Sequence, residues 1–503
     1  MALDEEATVG HSEGMPRLAT APRVADLVLP GLAGGGDAPA YSRLAEALRR
    51  TIVDGRLPEG TRLPSERDLT GPVGLSRTTV TRAYAELRAQ GYLTTRRGSG
   101  SVVQVPSVPG GRVDHLLAPA ALDAGALDLT VTAPAAPPGI AEAYARATED
   151  LGAYLCGTGY YPSGLPVLRE RIADRFTGRG LATTPDQVLI TPGALAAVAV
   201  SLRALIHRRD RVLIETPTYP NAIATLEGAG ARTVPHPIDH LHHDWDVEAL
   251  DRSAQHSGAR SAYLIPDFHN PSGALMTSTQ RAQVGRALRR HGVVPVIDES
   301  LVELALEGQS MPEPLGAHVP VAVTVGSASK SFWGGLRVGW LRAPRARMEE
   351  MAASRLRLDL GVPVLEQLVL VHLLDRAEEI LVEHRARLRE RRDVLVDTLH
   401  AQLPDWEVRV PAGGMALWFR LPEGSSTALA RGARRYDVAL AAGPNFAAGG
   451  GLDGWIRLPF VLPPEQLREV VPRLSAAWED VLAGRVGTAR AGGEREPGRR
   501  IIA

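Results

Sequence analysis

Five short, β-rich apolar runs recur through the middle of this 503-residue chain: "QVLIT" (187–191), "RVLIE" (211–215), "SAYLIPD" (261–267), "VVPVIDE" (293–299) and "VAVTVGS" (321–327). Amphipathic segments long enough for helices separate them. Strands covered on both faces read as unbroken apolar runs, and helix-length connections between strands imply parallel crossovers. From about residue 127 onward the chain therefore predicts an α/β body built on a mostly parallel, doubly covered sheet. In open sheets of this kind ligands gather at the carboxyl ends of the strands. The residues found there are Gly193, Tyr219, Asn270, Asp298 and Lys330.

Lys330 stands out on composition. Of the 56 Lys and Arg residues it is the only lysine, in the stretch "SASKSFWGGLRVGW" (327–340). A chain that uses arginine wherever a positive charge suffices has kept a primary amine at one position. Guanidinium stays protonated and is no nucleophile, whereas a buried amine can lose its proton and attack a carbonyl.

The other strand-end residues fit one ligand chemistry. "TPGA" turns from strand into helix at Gly193, leaving the amides of Ala194 and Leu195 free for a phosphate. Tyr219 in "ETPTYPNA" is placed to stack on an aromatic ring, and Asn270 in "PDFHNPSG" to meet a phenolic oxygen. Asp298 ends "VIDES", where its carboxylate can keep a pyridine nitrogen protonated. Ser327, Ser329 and Arg337 add phosphate donors about Lys330. Together these are the needs of pyridoxal 5′-phosphate (PLP), bound as a Schiff base. No metal site is expected.

Charge is uneven along the chain. Residues 38–105 hold 11 Arg against 6 acidic residues, a net of +5 that leaves −6 for the rest of a chain whose total is −1. A basic module is thus joined to an acidic body. Residues 1–37, Gly- and Ala-rich, are expected to be a flexible lead-in, 106–126 a Pro- and Gly-rich linker, and 486–503 a disordered tail. The body is expected over 127–485, with a large domain to about 375 and a small C-terminal α/β domain after it. A single cysteine, Cys156, excludes an intramolecular disulfide. That, the lack of a signal-peptide pattern and the lack of any apolar run of membrane-spanning length lead us to expect a cytoplasmic protein.

Within the basic module, "YSRLAEALRRTIVDG" places Leu44, Leu48 and Ile52 on one helical face before a stop at Gly55. "LPSERDLTGPVG" begins a second helix with Ser65 as N-cap, which Gly71 and Pro72 are expected to shorten or kink. Ser76 then caps a third helix with Val80, Tyr84 and Leu87 on its core face, closed by Gly91. "YLTTRRGSGSVVQV" reads as a hairpin. Three helices and a basic hairpin form a winged helix-turn-helix, whose third helix enters the major groove while the wing grips phosphates. By position, Arg77, Thr78, Thr79 and Arg82 are expected to face double-stranded DNA, with Arg67 on the second helix and Arg96 and Arg97 on the wing.

These motifs carry two resemblances. "LPSERDL", "LSRTTVTRAYAELRAQGYL" and "RRGSGSVV" resemble the GntR family of bacterial regulators. "YYPSGLPVLRERIA", "TPGA", "NPSG", "SASKSFWGGLRVGW", "PAGGMALWF" and "WIRLPF" resemble fold-type I PLP proteins of the aspartate-aminotransferase group. The combination is similar to the MocR/GabR group of PLP-dependent transcriptional regulators, over about residues 40–483. The resemblance implies Lys330 as the Schiff-base lysine, Asp298 as partner of the pyridine nitrogen, Asn270 and Tyr219 on the ring, and Arg337 on the phosphate. It further implies Arg457 on a ligand α-carboxylate, and Tyr160 reaching the phosphate of a partner subunit in a homodimer. It departs at Ser300 and Leu301, where such bodies commonly carry a tyrosine that donates to the cofactor. The resulting expectation is a DNA-binding regulator that senses a small amine, an amino acid or PLP through an aldimine at Lys330. The alternative is an aminotransferase carrying a DNA-binding module.

Overall fold

The computed structural model describes residues 18–32, 38–53, 56–57, 60–96, 100–104, 126–239, 241–242 and 244–486. It divides into two compact units between residues 111 and 112. The expected linker and tail lie outside the described residues, apart from their edges at 126 and 486.

The N-terminal unit contains helices α1 (Ala21–Leu32), α2 (Ala40–Val53), α3 (Glu66–Val73) and α4 (Arg77–Ala89), then strands β1 (Leu93–Arg96) and β2 (Gly100–Val103) paired antiparallel. Helix α1 corrects, over Ala21–Leu32, the flexible lead-in expected for residues 1–37, of which 1–17 and 33–37 lie outside the described residues. Val24, Ala25 and Val28 are buried on one face of it against α2 and α3, and the Ala19 amide donates to the Arg62 carbonyl at 2.9 Å. Burying each valine stabilises by roughly 1.5–3 kcal/mol. Both proposed caps form: Ser65 Oγ accepts from the Asp68 amide and Ser76 Oγ from the Thr79 amide, each at 3.2 Å. Helix α3 runs through Gly71 and Pro72 to Val73, because proline this close to the end removes only one amide donor. It stops at Gly74, whose φ of 66° is the left-handed conformation that glycine adopts without strain.

The second unit is built on a seven-stranded sheet of β4 (Val188–Thr191), β5 (Arg211–Thr216), β6 (Arg232–Pro237), β7 (Ser261–Leu264), β8 (Val294–Asp298), β9 (Val323–Ser327) and β10 (Gly339–Arg342). Their order is β4-β10-β9-β8-β7-β5-β6, and only β10 runs antiparallel to its neighbours. β4, β7 and β9 are buried at every residue, as their apolar runs require. Clusters about Ile214, Val296 and Val325 and about Leu213, Leu264 and Ile297 fill the two faces.

Strands β11 (Ala416–Arg420), β12 (Val438–Ala442) and β13 (Trp455–Pro459) form a smaller sheet, in the order β11-β13-β12-β3. Its fourth strand, β3 (Leu127–Leu129), comes from the start of the body and pairs parallel to β12. The small domain is therefore not confined to residues after about 375. Among the described residues, no helix is long and apolar enough to cross a membrane.

Candidate functional site

A cavity of about 580 Å³ opens at the carboxyl ends of the large sheet's strands. At its floor, β4 turns at Gly193 into the helix Ala194–Leu205. Glycine is required twice here. A Cβ on Gly193, whose φ is 90°, would lie 2.7 Å from Arg337 Nη2, and one on Gly339 would lie 2.5 Å from the Gly193 carbonyl carbon. The turn is thus a backbone cradle with the Ala194 and Leu195 amides at a helix N-terminus, the place where anions bind. Arg337, itself at φ 50°, borders it and donates from Nη2 to the Pro192 carbonyl at 3.1 Å.

β9 delivers Ser327, whose Oγ accepts from the Ser329 amide at 3.0 Å and caps the short turn Ala328–Ser331 that carries Lys330. Lys330 Nζ donates to the Thr132 carbonyl at 2.8 Å. Burial, reinforced by the nearby Arg457 and Arg337 cations against the pull of Asp298, lowers this amine to about 8. His384 holds the turn from behind, its Nε2 donating to the Lys330 carbonyl at 3.0 Å. Burial keeps that imidazole neutral, near 4. Asp298, at the end of β8, accepts from Tyr263 Oη at 2.7 Å and from the Ser300 amide at 2.9 Å. Burial and the adjacent carboxylate hold the Tyr263 phenol well above its ordinary range, so it remains a donor.

Tyr219 and Asn270 both line the cavity, and Asn221 Nδ2 donates to Tyr219 Oη at 2.8 Å. Ser300 and Leu301 form wall where a phenol was expected to be missing, and the buried Ser300 Oγ has no hydrogen-bond partner. Met415 both lines the cavity and packs into the core of the small sheet. The structure thus gathers Ala194, Leu195, Tyr219, Asn270, Asp298, Ser327, Ser329, Lys330 and Arg337 into one cavity. Two expected residues stand outside it. Arg457 is fully buried on β13 behind the wall, donating from Nη1 to Asn270 Oδ1 at 3.2 Å. Tyr160 is 66% exposed and lines no part of it. The roles of Tyr263, Asn221 and His384 went unnoticed in the sequence, although Asn221 lies in "ETPTYPNA" two residues after Tyr219 and Tyr263 in "SAYLIPD".

On the N-terminal unit, Arg77 and Thr78 are exposed in the first turn of α4, and Arg67 in that of α3. Thr79 is half-buried, with its Oγ1 2.8 Å from Ser76 Oγ. Arg82 is exposed, but its guanidinium lies over the Tyr41 ring at 3.8 Å and is engaged with α2. Arg96 belongs to β1, opposite Gly100; its side chain and Arg97 lie outside the described residues.

Residues 126–474 match the family of class I and II aminotransferases. The chain belongs to that family. Residues 40–103 match the gntR family of bacterial regulatory proteins, so a gntR-type module precedes the aminotransferase-family body, an arrangement of MocR type. The chain is 28% identical to an uncharacterized HTH-type transcriptional regulator of Bacillus subtilis, YisV, over 76% of its own length and 84% of the relative's. It is also 28% identical to the HTH-type pyridoxine biosynthesis transcriptional regulator PdxR of Corynebacterium glutamicum, over 74% and 82%. The aminotransferase-family body superposes on LysN, the α-aminoadipate aminotransferase of Thermus thermophilus, with a TM-score of 0.65 and 29% identity, covering 72% of this chain and 94% of that one.

The cofactor of such a body is PLP, and the residues present fit it. A helix N-terminus behind a turn where Gly193 and Gly339 leave no room for a Cβ, a carboxylate held by two donors, and a lone amine lowered to about 8 share one cavity.

Proposed function

We propose that this protein is a PLP-dependent, DNA-binding transcriptional regulator whose body senses a small amine, an amino acid or PLP itself. The observation that carries this reading is the joining, in one chain, of a gntR-type module exposing Arg77 and Thr78 at the start of α4 to a body with Lys330 and Asp298 in one cavity. In the body, Lys330 is the amine that bonds the cofactor, Asp298 faces the ring nitrogen, and Asn270 and Tyr219 hold the ring. Ala194, Leu195, Ser327, Ser329 and Arg337 hold the phosphate. PLP, when bound, supplies an aldehyde that condenses reversibly with primary amines and a ring that withdraws electrons from them. Tyr263 and the Ser300 amide keep the Asp298 carboxylate turned to one orientation, and His384 steadies the turn beneath Lys330. Arg457 is the group for a ligand carboxylate.

In the module, Arg77 and Thr78 read the major groove, and Arg67 and the wing arginines Arg96 and Arg97 bind phosphates. Because Arg82 is stacked on Tyr41, its part is to brace α4 against α2. The exposure of Tyr160 and of Leu155, five residues before it in sequence, supports a homodimer in which Tyr160 completes the partner's phosphate site. Work in the cytoplasm fits a DNA-binding protein.

A second reading, an aminotransferase with an attached DNA-binding module, is favoured by the amine at about 8, a value suited to moving protons near neutral pH. Leu301, which has no proton to donate, favours sensing instead.

The deciding experiment measures binding of the full chain to a DNA fragment from its own promoter region. Arg77→Ala is expected to weaken it at least ten-fold and to relax the sequence preference at the base it reads. Unchanged binding sinks the regulator reading. Steady keto-acid formation from an amino acid with 2-oxoglutarate moves the assignment to the second reading.

A further inference from the structure

The end of the large sheet opposite the cavity carries a concentration of charge that the body's chemistry does not use. Arg211 opens β5 and Arg232 opens β6, and the two are direct register partners across a parallel pair. The register of Val212 with Ser261 sets Arg260, one residue before β7, on the other side of Arg211. The Arg260 carbonyl accepts from the Val294 amide at 2.9 Å, so its backbone belongs to the sheet. Neighbouring strands lie about 4.8 Å apart, and these three exposed arginines therefore make a row about 10 Å long.

The turn before β5 extends the row. The Arg209 amide donates to the Gly230 carbonyl and the Arg232 amide to the Asp210 carbonyl, each at 2.8 Å, which fastens the turn beside the start of β6. It presents Arg208 and Arg209, both exposed. Arg209 has a φ of 74°, a left-handed conformation that costs a residue with a Cβ roughly 1–3 kcal/mol. Among the described residues, none of the five arginines forms an ion pair. Asp210, the acid within the turn, accepts from the His207 amide at 2.8 Å. Arg211 Nη1 donates to a neutral group, the Ser257 carbonyl, at 2.5 Å. Like charges on facing positions of neighbouring strands repel, and the chain outside residues 38–105 is otherwise acidic, at −6. A patch that repels itself within an acidic body, and that is extended, suits an extended polyanion.

We propose that this row is a second DNA contact, which binds phosphates of double-stranded DNA flanking the bases read by the gntR-type module. The proposal rests on the reading of this protein as a DNA-binding regulator and adds a partner surface to the body. A duplex carries one negative charge per about 1.7 Å of axis, so a 10 Å row meets several phosphates at once. Phosphate contacts carry no sequence information of their own. The row therefore contributes affinity and register, and the choice of sequence stays with Arg77 and Thr78. Because module and row share one chain, binding by the first raises the effective concentration of DNA at the second.

The test compares the full chain with a variant carrying Arg208→Gln, Arg209→Gln, Arg211→Gln and Arg232→Gln, on a fragment of its own promoter region. Hydroxyl-radical footprints are read, with affinities from about 50 to 200 mM salt. The variant is expected to keep the central protection and to lose backbone protection at the flanks. It should bind at least ten-fold more weakly at low salt, with a slope of log affinity against log salt smaller by about 3 to 4. An unchanged footprint with an unchanged slope overturns the proposal and leaves the regulator reading in place. Arg232→Glu separates binding from folding, since it sets an acid opposite Arg211 in place of a like charge. It is expected to weaken DNA binding at least three-fold without lowering the thermal midpoint of the body. A lowered midpoint with DNA binding unchanged would mean that Arg232 serves the sheet, and the proposal falls. If Arg77→Ala binds normally while the quadruple variant does not, the row stands and the module's assigned role falls. If the unaltered chain leaves the fragment unbound, both fall.

Discussion

At the scale of single residues, Lys330 is held at a cost. Its folded value of about 8 lies below the ordinary 10.5, so the unfolded chain binds more protons between these limits. Stability of the cofactor-free protein therefore rises with pH across that window, and the cost is fully present below about pH 8. Lys330→Met is expected to raise the stability of the cofactor-free protein by on the order of 2 kcal/mol at pH 7, with the gain fading toward pH 10. Urea unfolding at the two pH values measures this; a constant difference would contradict it. Gly193→Ala puts a Cβ against Arg337 at a positive φ. It is expected to weaken PLP binding ten-fold or more with little loss of secondary structure, read by absorbance titration and circular dichroism. Gly193, Asp298 and Lys330 were legible because each is a distinctive residue at the end of an apolar run. Tyr263 was not. It sits inside the buried run "SAYLIPD", and only the sheet brings it to Asp298, 35 residues away.

At the scale of elements, unbroken apolar runs revealed β4, β5, β7, β8 and β9 because both faces of those strands are covered. β6 has two prolines in six residues and an irregular burial pattern, which its place at the sheet's edge allows. β10 lay hidden in "SFWGGLRVGW", whose residues draw attention for chemistry before geometry. Helix α1 escaped notice because the apolar spacing of Val24 and Val28 is set among Gly- and Ala-rich flanks. Its contribution is measurable: Val28→Ala is expected to destabilise the N-terminal unit by about 2 kcal/mol through the cavity left behind. The first thermal transition of the full chain should fall accordingly. An unmoved transition would mean that α1 is not part of that unit's folded core.

At the scale of the whole molecule, two compact units with separate cores are expected to unfold in two calorimetric transitions. PLP at 100 times its dissociation constant stabilises what binds it by about 2.7 kcal/mol, and only the body's transition should move. A shift of both by the same amount would show that the units unfold as one. The pairing of Leu127 with Val438 and of Leu129 with Leu440 bears on how this molecule is made. The first strand of the body leaves the ribosome long before its partner has been translated, and it waits with its hydrogen-bonding groups open while the large sheet is assembled. The N-terminal unit has no such debt. Its last strand, β2, closes on β1 within a few residues, so the gntR-type module can be finished while the aminotransferase-family body is still being synthesised.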